Sequence, residues 1–427
     1  MDWITEPERK TPVVADVDLL VCGGGFAGFA AAMSAAKLGS RVLLLEKYGF
    51  LGGLVTAALV ITTPPLNNGI NIEIASRLKE RNVYIPCRHS GPDTEWLEMR
   101  SVDPEVVKYE FLRMLQEKGV DLLLHTYIVG TIMEGDVVKG VIMENKAGRQ
   151  AVIAKMIVDA TGDADIAAFA DAPFREIKKP MTMMYNLVGV DFSSALERLG
   201  NWSNLKKVVK EAMDKGELPF DLGIYPEFGA PGVHAEELVY SGELNVWSGM
   251  LNGMSGIDPW DLTKAEIITR EHVMRLTSFL KRNIPGFENS RIECTAAQVG
   301  VRASRQIIGE ASPTMDEVKT KKFSDTVAKP YARSEMRLPY GSILPQQAEN
   351  LLVAGRCISA EEEALGQLRL WPVCSISGQA AGTAAALALK QGKAPRRLDV
   401  RLLQNTLEEQ GMELGLAKSV AVGGAGK

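Results

Sequence analysis

Histidine and cysteine are scarce in this chain, with 4 and 5 copies among 427 residues. The cysteines (Cys22, Cys87, Cys294, Cys357 and Cys374) are odd in number, widely spaced and form no Cys-x-x-Cys pair. That argues against a disulfide framework, a zinc site or an iron–sulfur ligand set, and for a reducing compartment such as the cytoplasm. Net charge is also small. Lys plus Arg number 48 and Asp plus Glu 53, a balance of −5, too little for a chain that coats nucleic acid or an anionic membrane. The N-terminus, MDWITEPERK, has no apolar core of a signal peptide. Long hydrophobic runs are nearly missing too. The one candidate span, Leu19 to Ala36, carries no charge, but four glycines interrupt it, three of them consecutive. A tight turn explains it better than a membrane. No internal repeat is found.

Glycine is what the chain has in excess: 40 residues, about 9% against a usual level of about 7%. The first cluster has a clear setting. Val17–Cys22 is an apolar run of buried-strand type. Gly23-Gly24-Gly25-Phe26-Ala27-Gly28 then fits G-x-G-x-x-G, and the alanine-rich stretch from Phe29 to Leu38 predicts a helix that stops at Gly39. Arg41–Leu45 predicts a second strand, ending on Glu46. Strand, glycine turn, helix, strand and acid are the parts of a dinucleotide site. The glycines let the backbone approach a pyrophosphate, the helix N-terminus offers N–H groups, and the acid accepts from a ribose.

Further on, 71–81 reads as a helix. Asp103-Pro104 starts another by an N-cap and a proline at the first position. Strands are expected at 120–125, 127–133, 137–144 and 151–158, with a hairpin at Gly135-Asp136. Residues 176–290 change character. Strand-type runs alternate with helical patches at 193–215 and 263–281, and no phosphate loop is present. The chain therefore divides into a discontinuous nucleotide-binding domain, 1–175 with 291–427, and an inserted substrate or cap domain, 176–290. Late in the chain come a strand ending at Gly355, a polar loop at 361–369, a small-residue helix at 374–390 and a terminal amphipathic helix at 398–410.

Several stretches resemble known sequences. After Glu46 the run Lys47-Tyr48-Gly49-Phe50-Leu51-Gly52-Gly53-Leu54 is similar to the segment of glutathione-reductase-type FAD proteins that passes the flavin end of the cofactor. Together with GGGFAG, IVDATGDAD, PMTMMYNLVGVD, RASRQIIGE and NLLVAGRCISAEEEALGQLRLWPVCSISGQAAGTAAALAL, it makes the chain resemble FAD-dependent oxidoreductases of the two-dinucleotide-binding-domain type, in the group of FAD-containing dehydrogenases. The resemblance implies an α/β fold: a Rossmann-like FAD-binding domain with an inserted α+β cap. It implies FAD contacts at Gly23, Gly25, Phe26, Ala27, Gly28, Glu46, Lys47, Gly52, Gly53 and Leu54. Ala160, Thr161 and Gly162 would follow in a second loop, and Gly355, Arg356 and Trp371 in a third. Relatives often carry Thr-His-Glu after Arg-Cys-Ile-Ser; here Ala360-Glu361-Glu362-Glu363 stands there, with Glu362 at the histidine-like position.

A flavin carries the redox chemistry, and the protein supplies binding, orientation and charge. Candidates for the accompanying proton transfer are Glu362, in a run of like charges that can raise a carboxyl pKa, and His234. The plainer readings are a solvated run paired with Arg356 or Arg369, and a non-catalytic histidine. Arg302 and Arg305 could clamp a carboxylate or support the flavin; structural ion pairs explain them equally well. The expected activity is oxidation of a small alcohol, sugar-like polyol or amine by hydride transfer to flavin N5, with oxygen or a carrier as acceptor. Reduction of an activated C=C bond is the alternative, with Arg302 or Arg305 as carboxylate clamp and proton donor. A non-catalytic flavoprotein subunit of a larger complex is a third. No metal, nucleic acid or membrane partner is expected, and a homo-oligomer stays open.

Overall fold

The computed structural model describes residues 3–91, 98–218, 220–225, 229–332 and 334–416. In chain order the strands used below are β1 (Val13–Cys22), β2 (Val42–Leu45), β3 (Asp121–Leu123), β4 (Tyr127–Glu134), β5 (Val137–Asn145), β6 (Gly148–Asp159), β7 (Met184–Val188), β8 (Val233–Glu237), β9 (Leu244–Ser248), β10 (Arg291–Thr295) and β11 (Leu351–Val353). The helices are α1 (Phe26–Lys37), α2 (Ile70–Glu80), α3 (Pro104–Glu117), α4 (Leu205–Asp214), α5 (Pro259–Asn283), α6 (Glu362–Leu368), α7 (Trp371–Gln391) and α8 (Val400–Glu409).

One seven-stranded sheet organises the larger half. Its order is β3-β2-β1-β6-β5-β4, with β1 parallel to both β2 and β6. The β4–β5 hairpin is antiparallel and turns at Gly135-Asp136. β6 pairs with β5 over its first half and with β11 from Ile157 to Asp159. The chain thus returns to the first sheet at Leu351–Val353. The short parallel strands β2 and β11 are uniformly apolar and fully buried. The uncharged run from Leu19 to Ala36 is a buried strand, a turn and a helix buried all round. No described helix is long and apolar enough to cross a membrane.

The inserted half is built on a four-stranded antiparallel sheet, β8-β9-β7-β10. Helix α5 covers one face, where the Thr277 hydroxyl lies 3.2 Å from the Tyr185 hydroxyl. The other face turns to the FAD-binding half, where the Asn245 amide reaches the Leu59 carbonyl. A cavity of about 190 Å³ lies on that side between Asn186, Cys294, Leu59 and Pro104. The cap sheet takes in β10, which begins one residue beyond the expected boundary at 290.

Local signals succeeded where a side chain could act by itself. Asp103 caps α3, accepting from the N–H groups of Glu105 and Val106 at 2.8 and 3.4 Å, with Pro104 behind it. Two expectations changed. The helix expected over 193–215 is two helices, Phe192–Leu199 and α4, because Gly200 takes φ +75 and ends the first. The polar loop expected at 361–369 is α6. Glu362 and Glu363 sit in its first turn, where the positive end of the helix favours them, and Ala364, Leu365 and Leu368 bury one side.

Candidate cofactor and substrate site

The glycine turn separates glycines needed by the fold from one that is not. A Cβ on Gly23 would stand 2.4 Å from the Ala160 carbonyl oxygen, and one on Gly28 would stand 1.8 Å from that of Gly23. Gly25 differs. Its φ is an ordinary −71, and a Cβ there would meet nothing closer than the Gly53 Cα at 3.6 Å. Neither the backbone nor the protein's own packing asks for glycine at 25, and its bare backbone leaves room for a ligand to lie against it. Gly25 is also the N-cap of α1 and has no side chain to occupy the first N–H groups, which suits a pyrophosphate. Gly52, Gly53 and Leu54 close the turn from the other side, with the Gly52 N–H bonded to the Gly24 carbonyl at 2.9 Å.

Glu46 is buried at the end of β2. Its two carboxylate oxygens accept from the N–H groups of Gly24 at 2.7 Å and Tyr48 at 2.9 Å. Burial raises its pKa, and those two bonds pull it back. The Glu46 backbone is bonded to Leu123 and Thr126. There a groove of about 490 Å³ opens along Leu123–Thr126 and Asn145–Ala147, the side on which the adenosine end is expected. His125, which carried no functional signal in the sequence, lines this groove. Exposed Lys47 holds its ammonium 5.3 Å from the Tyr48 ring.

The second loop is pinned by a buried acid. Asp159 accepts from the N–H groups of Thr161, Ile166 and Ala167 and from the Thr161 hydroxyl, at 2.7–3.1 Å. Burial and then the neighbouring Asp165 nevertheless push its carboxyl up to about 6. Ala160 and Gly162 follow, the latter beside the Arg356 guanidinium. Arg356 donates to Asp163 at 2.6 Å and to the Val301 carbonyl. Asp163 also takes the Ser304 hydroxyl, and Arg305 pairs with Asp165 at 2.8 Å. Arg305 is therefore a latch on this loop. Gly355 packs on Ala27, and Trp371 lies 4.9 Å from the Phe26 ring at the start of α7. The Trp371 indole N–H is buried with no acceptor among the described residues. The uncapped start of α1, at a glycine whose missing Cβ leaves open space, fits FAD.

On the cap sheet His234 and Glu236 are two residues apart in β8 and share its inward face. Trp247 and Asn245 stand opposite them on β9. The His234 Nε2 contacts Glu236, which is fully buried and also accepts from the Ser90 hydroxyl at 2.6 Å. The His234 and Trp247 rings meet edge to face at 5.3 Å. The Arg302 guanidinium lies 5.7 Å from the Trp247 ring and 5.5 Å from that of Tyr225. It donates to Thr182 and the Pro180 carbonyl, both at 2.8 Å. His234 and Arg302 are thus brought together around Trp247. Glu362 is exposed and pairs with Lys179 at 2.8 Å, while Glu361 faces Arg175. Sequence reasoning missed Glu236, Trp247 and Asp163. The first two were signalled by polar residues at every second position of otherwise buried strands; Asp163 carried no such signal.

Fold and site together define a flavoprotein built on a Rossmann-like FAD-binding domain. The chain belongs to the FAD dependent oxidoreductase family, whose profile matches residues 18–336 and 329–407. It is 29% identical over 184 residues to a digeranylgeranylglycerophospholipid reductase of Methanosarcina acetivorans, covering 41% of this chain and 45% of that one. Identity to a urocanate reductase of Eggerthella lenta is 49% over 47 residues, 11% and 8% of the two chains. Identity to a probable fumarate reductase of Shewanella frigidimarina is 24% over 212 residues, 40% and 36%. The matches span less than half the length of each of these relatives. In fold the chain is similar to a geranylgeranyl bacteriochlorophyll reductase-like protein of Thermoplasma acidophilum, at TM-score 0.51 and 14% identity over 93% and 84% of the chains. The p-nitrophenol 4-monooxygenase of Pseudomonas putida gives TM-score 0.51 and 16% identity over 93% and 89%.

Proposed function

We propose that the enzyme reduces an activated C=C bond in a small organic carboxylate. The observation that carries this reading is the meeting of Arg302 and His234 around Trp247 on the inward face of the cap sheet. FAD, held by the glycine turn, Glu46 and the loops at 160–162 and 355–356, would supply the hydride. Arg302 would bind the carboxylate and draw charge from the double bond; its guanidinium is always protonated and its orientation is set by Thr182 and Pro180. His234, its ring oriented by buried Glu236, would deliver the proton to the other carbon. Burial of the face excludes water. The reductase names of the relatives support the direction, and fumarate and urocanate are both unsaturated carboxylates.

The second reading is oxidation of an alcohol, polyol or amine, with oxygen or a carrier accepting the electrons. The His234–Glu236 pair favours it as well, since an imidazole beside a carboxylate accepts a proton as readily as it gives one. One experiment separates the two. The FAD-loaded protein is reduced without oxygen and mixed with fumarate, urocanate or longer enoates. Return of the oxidised flavin band supports reduction. Bleaching of the oxidised protein by alcohols or amines, with no response of the reduced protein to any enoate, would overturn it.

A further inference from the structure

Helix α5 is capped by Asp258 and starts on Pro259. Its inner face buries Ala265, Thr269, His272, Val273, Leu276 and Leu280 against the cap sheet. Its outer face carries exposed Lys264, Arg270, Glu271 and Arg275, and among these charges stand three large apolar side chains. Trp260 is 82% exposed, Ile267 66% and Met274 59%. They are spaced by seven, so they form one line along the helix, about 10 Å apart. Ordinary surfaces scatter such residues singly; a line of three marks a contact.

We propose that this line is a homodimer interface in which α5 packs antiparallel against α5 of a second copy, about a twofold axis at Ile267. The stripe is self-complementary under that operation, as an isologous interface must be. Ile267 meets the partner's Ile267, and Trp260 meets the partner's Met274, since each lies seven residues from the axis. Charge agrees with shape. Lys264 and Glu271 are both exposed and both lie on the same flank of the line, three residues before Ile267 and four after it. The axis places Lys264 against the partner's Glu271, and the reverse, giving two cross-pairs. Lys264 has no ion-pair partner among the described residues, and Glu271 touches only Arg275, one turn along its own helix. Arg270, on the opposite flank, is held by Glu266 and Thr295 and brings no like-charge clash to the pair. One helix pair covers less than the roughly 800 Å² per partner of a standard interface, so a dimer of micromolar strength is expected.

Sedimentation of the FAD-loaded full chain over roughly 1 to 100 µM, a range set by that expected strength, tests it. The wild type should pass from monomer to dimer across this range. Ile267→Glu should remain monomeric with an unchanged flavin spectrum, which shows that it has folded. Lys264→Glu should weaken the dimer at least tenfold by setting carboxylates together, and Lys264→Glu with Glu271→Lys should restore it. A wild type that is monomeric throughout overturns the proposal. So does a dimer indifferent to Ile267→Glu, or a double variant no better than the single one. A monomer that instead co-sediments with anionic phospholipid vesicles would assign the stripe to a lipid surface and overturn it equally.

Discussion

A Cβ on Gly378 would stand 2.0 Å from the carbonyl oxygen of Ala27, so helices α1 and α7, from opposite ends of the chain, touch backbone to backbone. Gly382 repeats the contact one turn later, 2.1 Å from the Ala31 carbonyl. This contact holds the two helix starts that flank the cofactor cradle. Gly378→Ala should therefore destabilise the protein by about 1–3 kcal/mol or more through overpacking. Gly25→Ala should change the stability of the FAD-free protein by under about 1 kcal/mol, the scale of an N-cap exchange, because space for the methyl exists. It should nonetheless lower FAD affinity at least tenfold. Urea unfolding without FAD and fluorescence titration with it measure the two effects. Equal loss of stability in both variants would refute the assignment of Gly25 to the ligand.

Glu46→Gln replaces a double acceptor with an amide that sets its own N–H₂ against one of two N–H donors. Hydrogen bonds to a charged group contribute about 1.5–3 kcal/mol, so FAD should bind roughly 10- to 100-fold more weakly. Burial raises the Glu46 pKa. Wild-type affinity should therefore fall on acidification at a higher pH than an exposed glutamate would give, and the variant should lack that step. Titrations across pH 4.5 to 7 read both.

Asp159 titrates at about 6 in the fold against 3.8 when free. The folded state thus holds the proton more tightly. The stability this adds is complete below 3.8 and is lost as pH rises through 6. Two pKa units correspond to at most about 3 kcal/mol, reduced if the structure relaxes around the charge. Asp159→Asn should show a constant offset from its lost acceptor but no such slope. Urea midpoints of wild type and variant at several pH values between 4 and 7 check this. Parallel curves would contradict it.

The proposed substrate roles separate kinetically. Arg302→Met should raise KM for an enoate about 10- to 100-fold, the loss of a charge-assisted contact. It should leave the flavin spectrum intact. His234→Gln should lower kcat by about 10²- to 10⁴-fold with little change in KM. Glu236→Gln should lower kcat in the same direction as His234→Gln but by less, since the ring keeps a polar neighbour and loses the carboxylate that orients it. Glu362→Gln should change neither constant if Glu362 only pairs with Lys179. If Glu362 carries the proton, kcat falls in that variant and His234→Gln is silent.

The cofactor half was legible in the sequence because its signals are local. A strand, a G-x-G-x-x-G turn, an alanine helix and Glu46 follow one another within thirty residues, and each imposes its own backbone. The Asp103-Pro104 helix start was legible for the same reason. The cap was less so. Gly200 splits a pattern that reads as one helix, and α6 forms in a run of glutamates that reads as loop, since both outcomes depend on what the apolar side of each helix packs against.

The sequence by itself determined the dinucleotide-binding turn and the order of the elements, because glycine positions and apolar runs act on the chain near them; the choice of FAD came from the resemblance of its motifs to a known family. Only the tertiary structure decided which candidates meet. His234 and Arg302 lie 68 residues apart yet converge on Trp247. Arg305, three residues from Arg302, is drawn instead to Asp165, and Glu362 stays exposed beside Lys179. Strand register and the side of the sheet on which each residue emerges made those choices, and both follow from packing between distant segments, which neighbouring residues do not encode.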